Sequence, residues 1–191
     1  MDQLNRCMEV FRKLALGYVG FGSFGTSGSN DSINKVDARS VAGLQHIVRE
    51  LAGQGIKLHT FGVSTPPLIY ALQRLGIYSF DSLAWQRSAG YGKVYMPFMR
   101  AYNVSHRSTR NGALTKEEFE LIRQRTGHRC PFCDDFHQLS ENRLYRSLHN
   151  LVAVMETVSP SDKLSVQATA GLIAWKSQRY YKLFEEIYLG T

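Results

Sequence analysis

Residues 57–83 read KLHTFGVSTPPLIYALQRLGIYSFDSL, and the division of this stretch decides the fold. Lys57–Val63 has the composition of a buried strand. Ser64 or Thr65 then stands at an N-cap position, with Pro66 in the first turn, where its fixed φ and missing N–H cost nothing. A helix runs to Leu75, and Gly76 stops it by entering the left-handed conformation at a C-cap. Ile77–Leu83 is the following strand. Upstream the same unit appears once more. Gly17–Phe24 (GYVGFGSF) is an apolar strand emptying into a loop with Gly25, Ser27, Gly28 and Ser29. Asp37 caps a helix whose Val41, Leu44, Ile47, Val48 and Leu51 fall at helical spacing, ended by Gly53 and Gly55. Strands alternating with helices of this length predict an α/β fold with a parallel sheet and right-handed crossovers.

Downstream the alternation stops. The segment from Ser88 to Gly112 is aromatic, basic and interrupted by glycine, and it reads as a long insertion. Thr115 caps a short helix, with Glu118 as its capping-box partner. Leu139–Thr157 and Asp162–Leu189 read as two further helices, separated by Ser159, Pro160 and Ser161. Tyr70, Trp175, Tyr180, Tyr181, Phe184 and Tyr188 recur at helical spacings and read as packing residues. His59 and His106 read as structural. Cys7, on a probable N-terminal helix, reads as a small core residue.

With 191 residues, 43% of them hydrophobic and 20% charged, the chain falls in the globular range and forms one domain over 1–191. No apolar run approaches the ~20 residues that cross a bilayer, and Met1–Arg12 is too polar for a signal peptide. The expectation is a cytoplasmic protein with no membrane partner. The formal charge of +7 favours a polyanionic partner. No acid occurs between Asp81 and Glu117, whereas Arg87, Lys93, Arg100, Arg107, Arg110 and Lys116 do. Trp85, Tyr91, Tyr95, Phe98, Tyr102 and His106 are interleaved with those cations. Flat rings stack on exposed bases while cations meet phosphates, so the segment is a candidate nucleic-acid surface.

Three cysteines with a single close pair exclude a disulfide framework. His128, Cys130, Cys133 and His149 give the pattern His-x-Cys-x2-Cys-x15-His. Two thiolates and two imidazoles suit tetrahedral zinc, and four protein ligands leave no open position, so the expected role is structural. His137 also stands at a permitted spacing from Cys133, and the residues alone leave His137 and His149 both open.

Three segments together resemble one family, the guanine transglycosylases that insert 7-deazaguanine bases into nucleic acid. They are GYVGFGSFGTSG (Gly17–Gly28), similar to that family's base-binding loop, LHTFGVSTP (Leu58–Pro66), and SFDSLAWQRSAGYGKVY (Ser79–Tyr95). The resemblance implies a (β/α)8 TIM-type barrel, of which this chain carries only C-terminal strands. Residues 1–90 would be the partial barrel, 91–158 the basic insertion and zinc-binding subdomain, and 159–191 the C-terminal helix. It implies Asp81 as the nucleophile and Gly22, Ser23, Phe24 and Gly25 as base-binding residues. Arg87, Lys93, Arg100, Arg107 and Arg110 would contact nucleic acid. It also favours His149 over His137, because the family's zinc-site helix carries a His-Asn-Leu run, here His149, Asn150 and Leu151.

The chain departs from the tRNA enzymes at His128, where those usually have a cysteine. Its glycine loop and the wording from Trp85 to Gly92 look closer to the branch acting on DNA. The expected activity is exchange of guanine for a 7-deazaguanine in DNA. The alternatives are a tRNA enzyme or a noncatalytic zinc-containing nucleic-acid-binding subunit. The matches begin well into the barrel, and an aspartate that the family uses early in it has no counterpart. A half barrel exposes sheet edges that cost free energy unless covered, so the reading expects a homo-oligomer or a complementary half-barrel chain.

Overall fold

A computed structural model of the chain describes residues 2–22, 38–51, 53–63, 65–105, 112–159, 165–176 and 178–188. Helix α1 (Asp2–Lys13) leads into strand β1 (Tyr18–Phe21), followed by α2 (Ala38–Leu51), β2 (Lys57–Thr60), α3 (Pro66–Leu75) and β3 (Ser79–Phe80). The strands lie in the order β1, β2, β3 and are parallel, with Val19 beside Leu58 and His59 beside Ser79. The alternation read from the sequence is therefore present. The strands are shorter than expected because each gives way quickly to a turn. After β2 that turn is made at Gly62, whose φ of +73° is the left-handed region glycine enters without a Cβ clash.

Period-3.6 patterning explains the helices. Val41, Leu44, Ile47 and Leu51 of α2 pack with Leu68, Ile69 and Leu72 of α3 over Val19 and Leu58 of the sheet. Each such fully buried side chain contributes roughly 1.5–3 kcal/mol. Thr65 is the N-cap of α3 with extended backbone and no side-chain cap bond, and Gly76 closes the helix at φ +112°. The proposed caps Ser64 and Asp37 lie outside the described residues. On α1, Leu4, Met8 and Phe11 face the core, whereas Cys7 is exposed. Reading Cys7 as a core residue was wrong, because it falls outside that apolar stripe.

Among the described residues, the segment expected to be an irregular insertion is regular through Asn103. Helix α4 (Ala84–Gly90) is followed by an antiparallel hairpin, β4 (Lys93–Met96) and β5 (Met99–Asn103). Alternation was hidden by three consecutive buried residues, Val94, Tyr95 and Met96. Between the strands Phe98 adopts φ +62°, unusual for a bulky residue. It is held there by its ring against Tyr70 (centroids 5.2 Å apart) and by its N–H donating to Thr157 Oγ1 at 3.2 Å.

Gly92 opens the hairpin at φ +73°, and a Cβ there would lie 2.6 Å from Ser105 Cβ. Gly92→Ala combines backbone strain with overpacking, so a loss of about 2–4 kcal/mol is expected in urea unfolding. A change below 0.5 kcal/mol would contradict that reading.

Helix α5 (Lys116–Thr126) starts with the predicted capping box: Thr115 accepts from Glu118 N, and Glu118 accepts from Thr115 N at 2.9 Å. The helix expected over 139–157 is divided into α6 (Phe136–Glu141) and α7 (Arg143–Val158). Asn142 divides them: it is extended, and its side chain accepts from Leu144 N at 2.9 Å to cap α7. Asparagine offers the backbone a local alternative to the helix ladder. The described part of the C-terminal helical region is α8 (Val166–Lys176) and α9 (Gln178–Tyr188), with Ser177 between them outside the described residues. Phe184 of α9 stacks on Tyr70 with centroids 6.0 Å apart, and Ile173 and Ile187 join the same core as α2 and α3.

A second core joins Val94, Met96, Met99 and Tyr102 of the hairpin to Phe119 and Ile122 of α5, Cys130, Cys133 and Leu139. The described residues form a mixed helix and strand fold with a three-stranded parallel sheet and a separate hairpin, and no closed barrel. No described helix is long and apolar enough to cross a membrane.

Candidate active-site edge and metal centre

Parallel strands all end on the same side of the sheet, and β3 delivers Asp81 there directly after Phe80. The Asp81 side chain is 60% exposed, open to a ligand. Its Oδ1 accepts from the Gly62 backbone N–H at 2.9 Å, a donor aimed by the turn that ends β2. His59 Nε2 lies 3.5 Å from the same oxygen. The other imidazole nitrogen, Nδ1, is 2.8 Å from Ser79 Oγ, and that hydroxyl is hydrogen-bonded to the Tyr18 hydroxyl. Neighbouring register explains the set: His59 pairs with Ser79, and Tyr18 lies across from Lys57 on β2.

Phe61 stands edge-on to His59 with centroids 4.5 Å apart. Its ring leaves no room on β1, where a Cβ at Gly20 would lie 2.5 Å from Phe61 Cε2. Glycine at position 20 is thus needed for close approach. His59 was expected to be structural, yet it borders the carboxylate. Its role follows from register, since residues 59 and 79 are partners on adjacent parallel strands.

Of the proposed base-binding residues, Gly22 follows β1 and is exposed, while Ser23, Phe24 and Gly25 lie outside the described residues. Arg87, Lys93 and Arg100 are exposed, and Arg107, Arg110 and His106 lie outside the described residues. The aromatic half of that expectation needs correction. Tyr95, Phe98 and Tyr102 are buried in the two cores and present no face to a base, whereas Tyr91 is 66% exposed. Burial pushes the Tyr102 phenol up to about 12.

A cluster that could hold a metal ion is formed by His128, Cys130, Cys133 and His149, all buried, with donor atoms within 4.8 Å of one another. Cys130 Sγ lies 3.4 Å from Cys133 Sγ and 3.3 Å from His149 Nδ1, and His128 Nε2 lies 3.4 Å from His149 Nδ1. Gly127 ends α5 in the left-handed conformation and turns His128 inward, the Cys130–Cys133 knuckle follows, and α7 brings His149. His137 is exposed on α6 and outside the cluster.

Each imidazole is oriented by its other nitrogen. His128 Nδ1 is 2.7 Å from Glu156 Oε2, and His149 Nε2 is 2.8 Å from the Tyr95 carbonyl. A carboxylate and a carbonyl accept only, so each takes an N–H and leaves the opposite nitrogen bare for a metal. Arg123 Nη1 approaches Cys133 Sγ at 3.6 Å and donates to the Cys133 carbonyl at 3.1 Å, placing positive charge beside the thiolate.

Protonation among these groups is skewed. A hydrogen bond to Cys133, with burial, raises Cys130 above the ordinary thiol range. Bonds from Cys130 and then the two imidazoles outweigh burial and hold Cys133 far below it. Burial opposes charge on His128, but bonds to Cys133 and Glu156 win and push it up to about 9. His149 is lowered, chiefly by burial.

Beside His149 on α7, Asn150 ties three backbone groups. It accepts from Tyr95 N at 2.6 Å and donates to the carbonyls of Trp85 (2.9 Å) and Lys93 (3.1 Å). Buried Arg146 donates to the carbonyls of Ala89, Leu139 and Ser140. These residues lock α4, α6 and the hairpin to α7, and none was singled out from the sequence for this role. Comparisons with protein-family models, curated proteins and solved structures give no match to this chain.

Proposed function

We propose that the chain is a transglycosylase that exchanges guanine for a 7-deazaguanine base in nucleic acid, with DNA the favoured substrate and Asp81 the nucleophile. One observation carries the reading: an exposed carboxylate at the C-terminal ends of parallel strands, with one oxygen held by the Gly62 amide. In parallel α/β folds, reactive groups gather at that end. The βαβαβ order of the first half is compatible with a segment of a (β/α)8 barrel, and further strands would come from a second copy or a complementary chain.

In this mechanism an Asp81 oxygen bonds to the sugar C1′ as the C1′–N9 bond breaks and its electron pair leaves with guanine. The incoming base then displaces the aspartate from C1′, and the N–H proton it gives up balances the one guanine gains. The strand is never cut. A target base in duplex must leave its stack to be reached. Arg87, Lys93, Arg100 and the exposed Tyr91 are suited to hold the displaced strand.

In the same reading the four buried donors hold a structural zinc ion. The fit rests on donor type and spacing: tetrahedral zinc at 2.0–2.3 Å from N and S sets donors about 3.3–3.8 Å apart, and three of the donor pairs lie 3.3–3.4 Å apart with all four donors within 4.8 Å. Four protein donors leave no position for a reacting water, so zinc would brace the hairpin and α7 and take no part in chemistry.

Radiolabelled guanine offered with DNA and, separately, with tRNA tests the proposal. Label incorporated into DNA supports the favoured reading, and label in tRNA alone moves the substrate. If neither nucleic acid takes up label, with or without a co-purified partner chain, while salt-sensitive binding persists, the noncatalytic binding subunit replaces it.

A further inference from the structure

The carboxylate at the sheet edge does not stand alone, and its neighbours differ in what they can give and take. An ionised carboxylate only accepts, and the Gly62 amide only donates. An imidazole offers one donor and one acceptor when neutral, and each hydroxyl can do both. Those capacities order the row. With His59 Nε2 facing Asp81 Oδ1 at 3.5 Å, the nitrogen that suits a carboxylate is an N–H. Nδ1 is then bare and takes the Ser79 hydroxyl proton at 2.8 Å, and Ser79 Oγ in turn takes the proton of the Tyr18 hydroxyl.

We propose that Tyr18, Ser79 and His59 form a directed hydrogen-bonded chain that fixes His59 as its Nε2–H tautomer and makes it a positioning residue for Asp81. The Gly62 N–H donates to Oδ1, and His59 Nε2 faces the same oxygen at 3.5 Å. Among the described residues Oδ2 carries no hydrogen bond, and it is the oxygen presented to a reacting carbon. The assignment of Oδ2 rests on the function proposed above; the chain and the tautomer do not.

The 3.5 Å separation is longer than a good N–H···O bond. Such contacts tighten when substrate closes a site. Phe61 stands edge-on to the His59 ring at 4.5 Å, and Tyr18 flanks it at 6.4 Å. These rings border the imidazole while the Asp81 side chain stays 60% exposed. Lys57, on the same strand as His59, has its Nζ 4.2 Å from the Tyr78 ring centroid and is turned to that ring.

The test has two independent readouts on the full chain. Nitrogen-15 NMR of the histidine side chains at pH 8, above the ordinary imidazole range, is expected to show His59 as the Nε2–H form. In Ser79→Ala, which removes one hydroxyl at a half-buried strand position, His59 should relax to a mixture of tautomers with the circular dichroism unchanged. A wild-type Nδ1–H tautomer, or a tautomer indifferent to Ser79→Ala, overturns the chain.

The second readout is exchange. Ser79→Ala and His59→Ala should lower kcat about tenfold to a hundredfold with KM within about twofold, as loss of orientation does. His59→Gln, which keeps a side-chain N–H, should recover part of the loss. Equal kcat in all three variants and wild type would remove His59 from the positioning role. Absence of exchange in the wild type would fall on the proposed function, while the NMR result decides the chain without it.

Discussion

Replacing His149 with alanine should empty the metal centre and unfold the half of the molecule built on it. His149 is fully buried and meets Cys130, His128 and the Tyr95 carbonyl at once. Structural zinc contributes about 10–16 kcal/mol to folding in small zinc modules, as large as the roughly 5–15 kcal/mol that holds a whole domain. Among the described residues the hairpin pairs with no other strand, and it depends on α7 and the cluster for its cover. Elemental analysis of the purified wild type should give about one zinc per chain, with His149→Ala giving none and proteolysis spreading through residues 84–158. His149→Cys, which restores a competent ligand, should regain metal. Stoichiometric zinc in His149→Ala would refute the cluster. Release to a chelator should also speed up as pH falls, since Cys130, whose thiol is raised, and His128, raised to about 9, take protons as the metal leaves.

The second large effect is chemical. Asp81→Asn should abolish base exchange, by about 10⁴-fold or more, equivalent to about 5.5 kcal/mol in the barrier. An amide oxygen accepts the Gly62 N–H as the carboxylate does but will not displace a base at C1′. The site is 60% exposed, so stability should change by less than about 0.5 kcal/mol. The pairing of lost turnover with unchanged unfolding is the diagnostic result. An Asp81→Asn protein exchanging guanine at the wild-type rate would end Asp81's candidacy as nucleophile.

The sequence exposed the sheet half because its signals are local. Strand, cap, Pro66, helix and Gly76 follow each other within one short stretch, and each is a near-neighbour effect. The four metal donors were equally legible, since Cys-x2-Cys chemistry depends on residue type and short spacing. What remained hidden was set by distant partners. The hairpin escaped because Tyr95 and Phe98 are buried by α7 and α3, elements far along the chain, so the two-residue alternation of a half-exposed strand is absent. Reading those rings as stacking platforms failed for the same cause. His59 escaped because its role appears only when β2 and β3 align in register. The Asn142 break was visible in principle, as asparagine both interrupts and caps helices, but the apolar periodicity running through Leu139 and Leu144 masked it.

The pairing of His149 with Asn150 gives the molecule an optical gauge. The chain contains two tryptophans. Trp85 is tethered through its carbonyl to the residue next to a metal ligand, and Trp175 packs against the same core with the Arg125 guanidinium 4.0 Å from its ring centroid. Neither sits on the parallel sheet or on α2 and α3. Indole emission therefore follows the state of the half that carries the His–Cys cluster, and unfolding of the strands beneath Asp81 is better followed through tyrosine or far-ultraviolet dichroism.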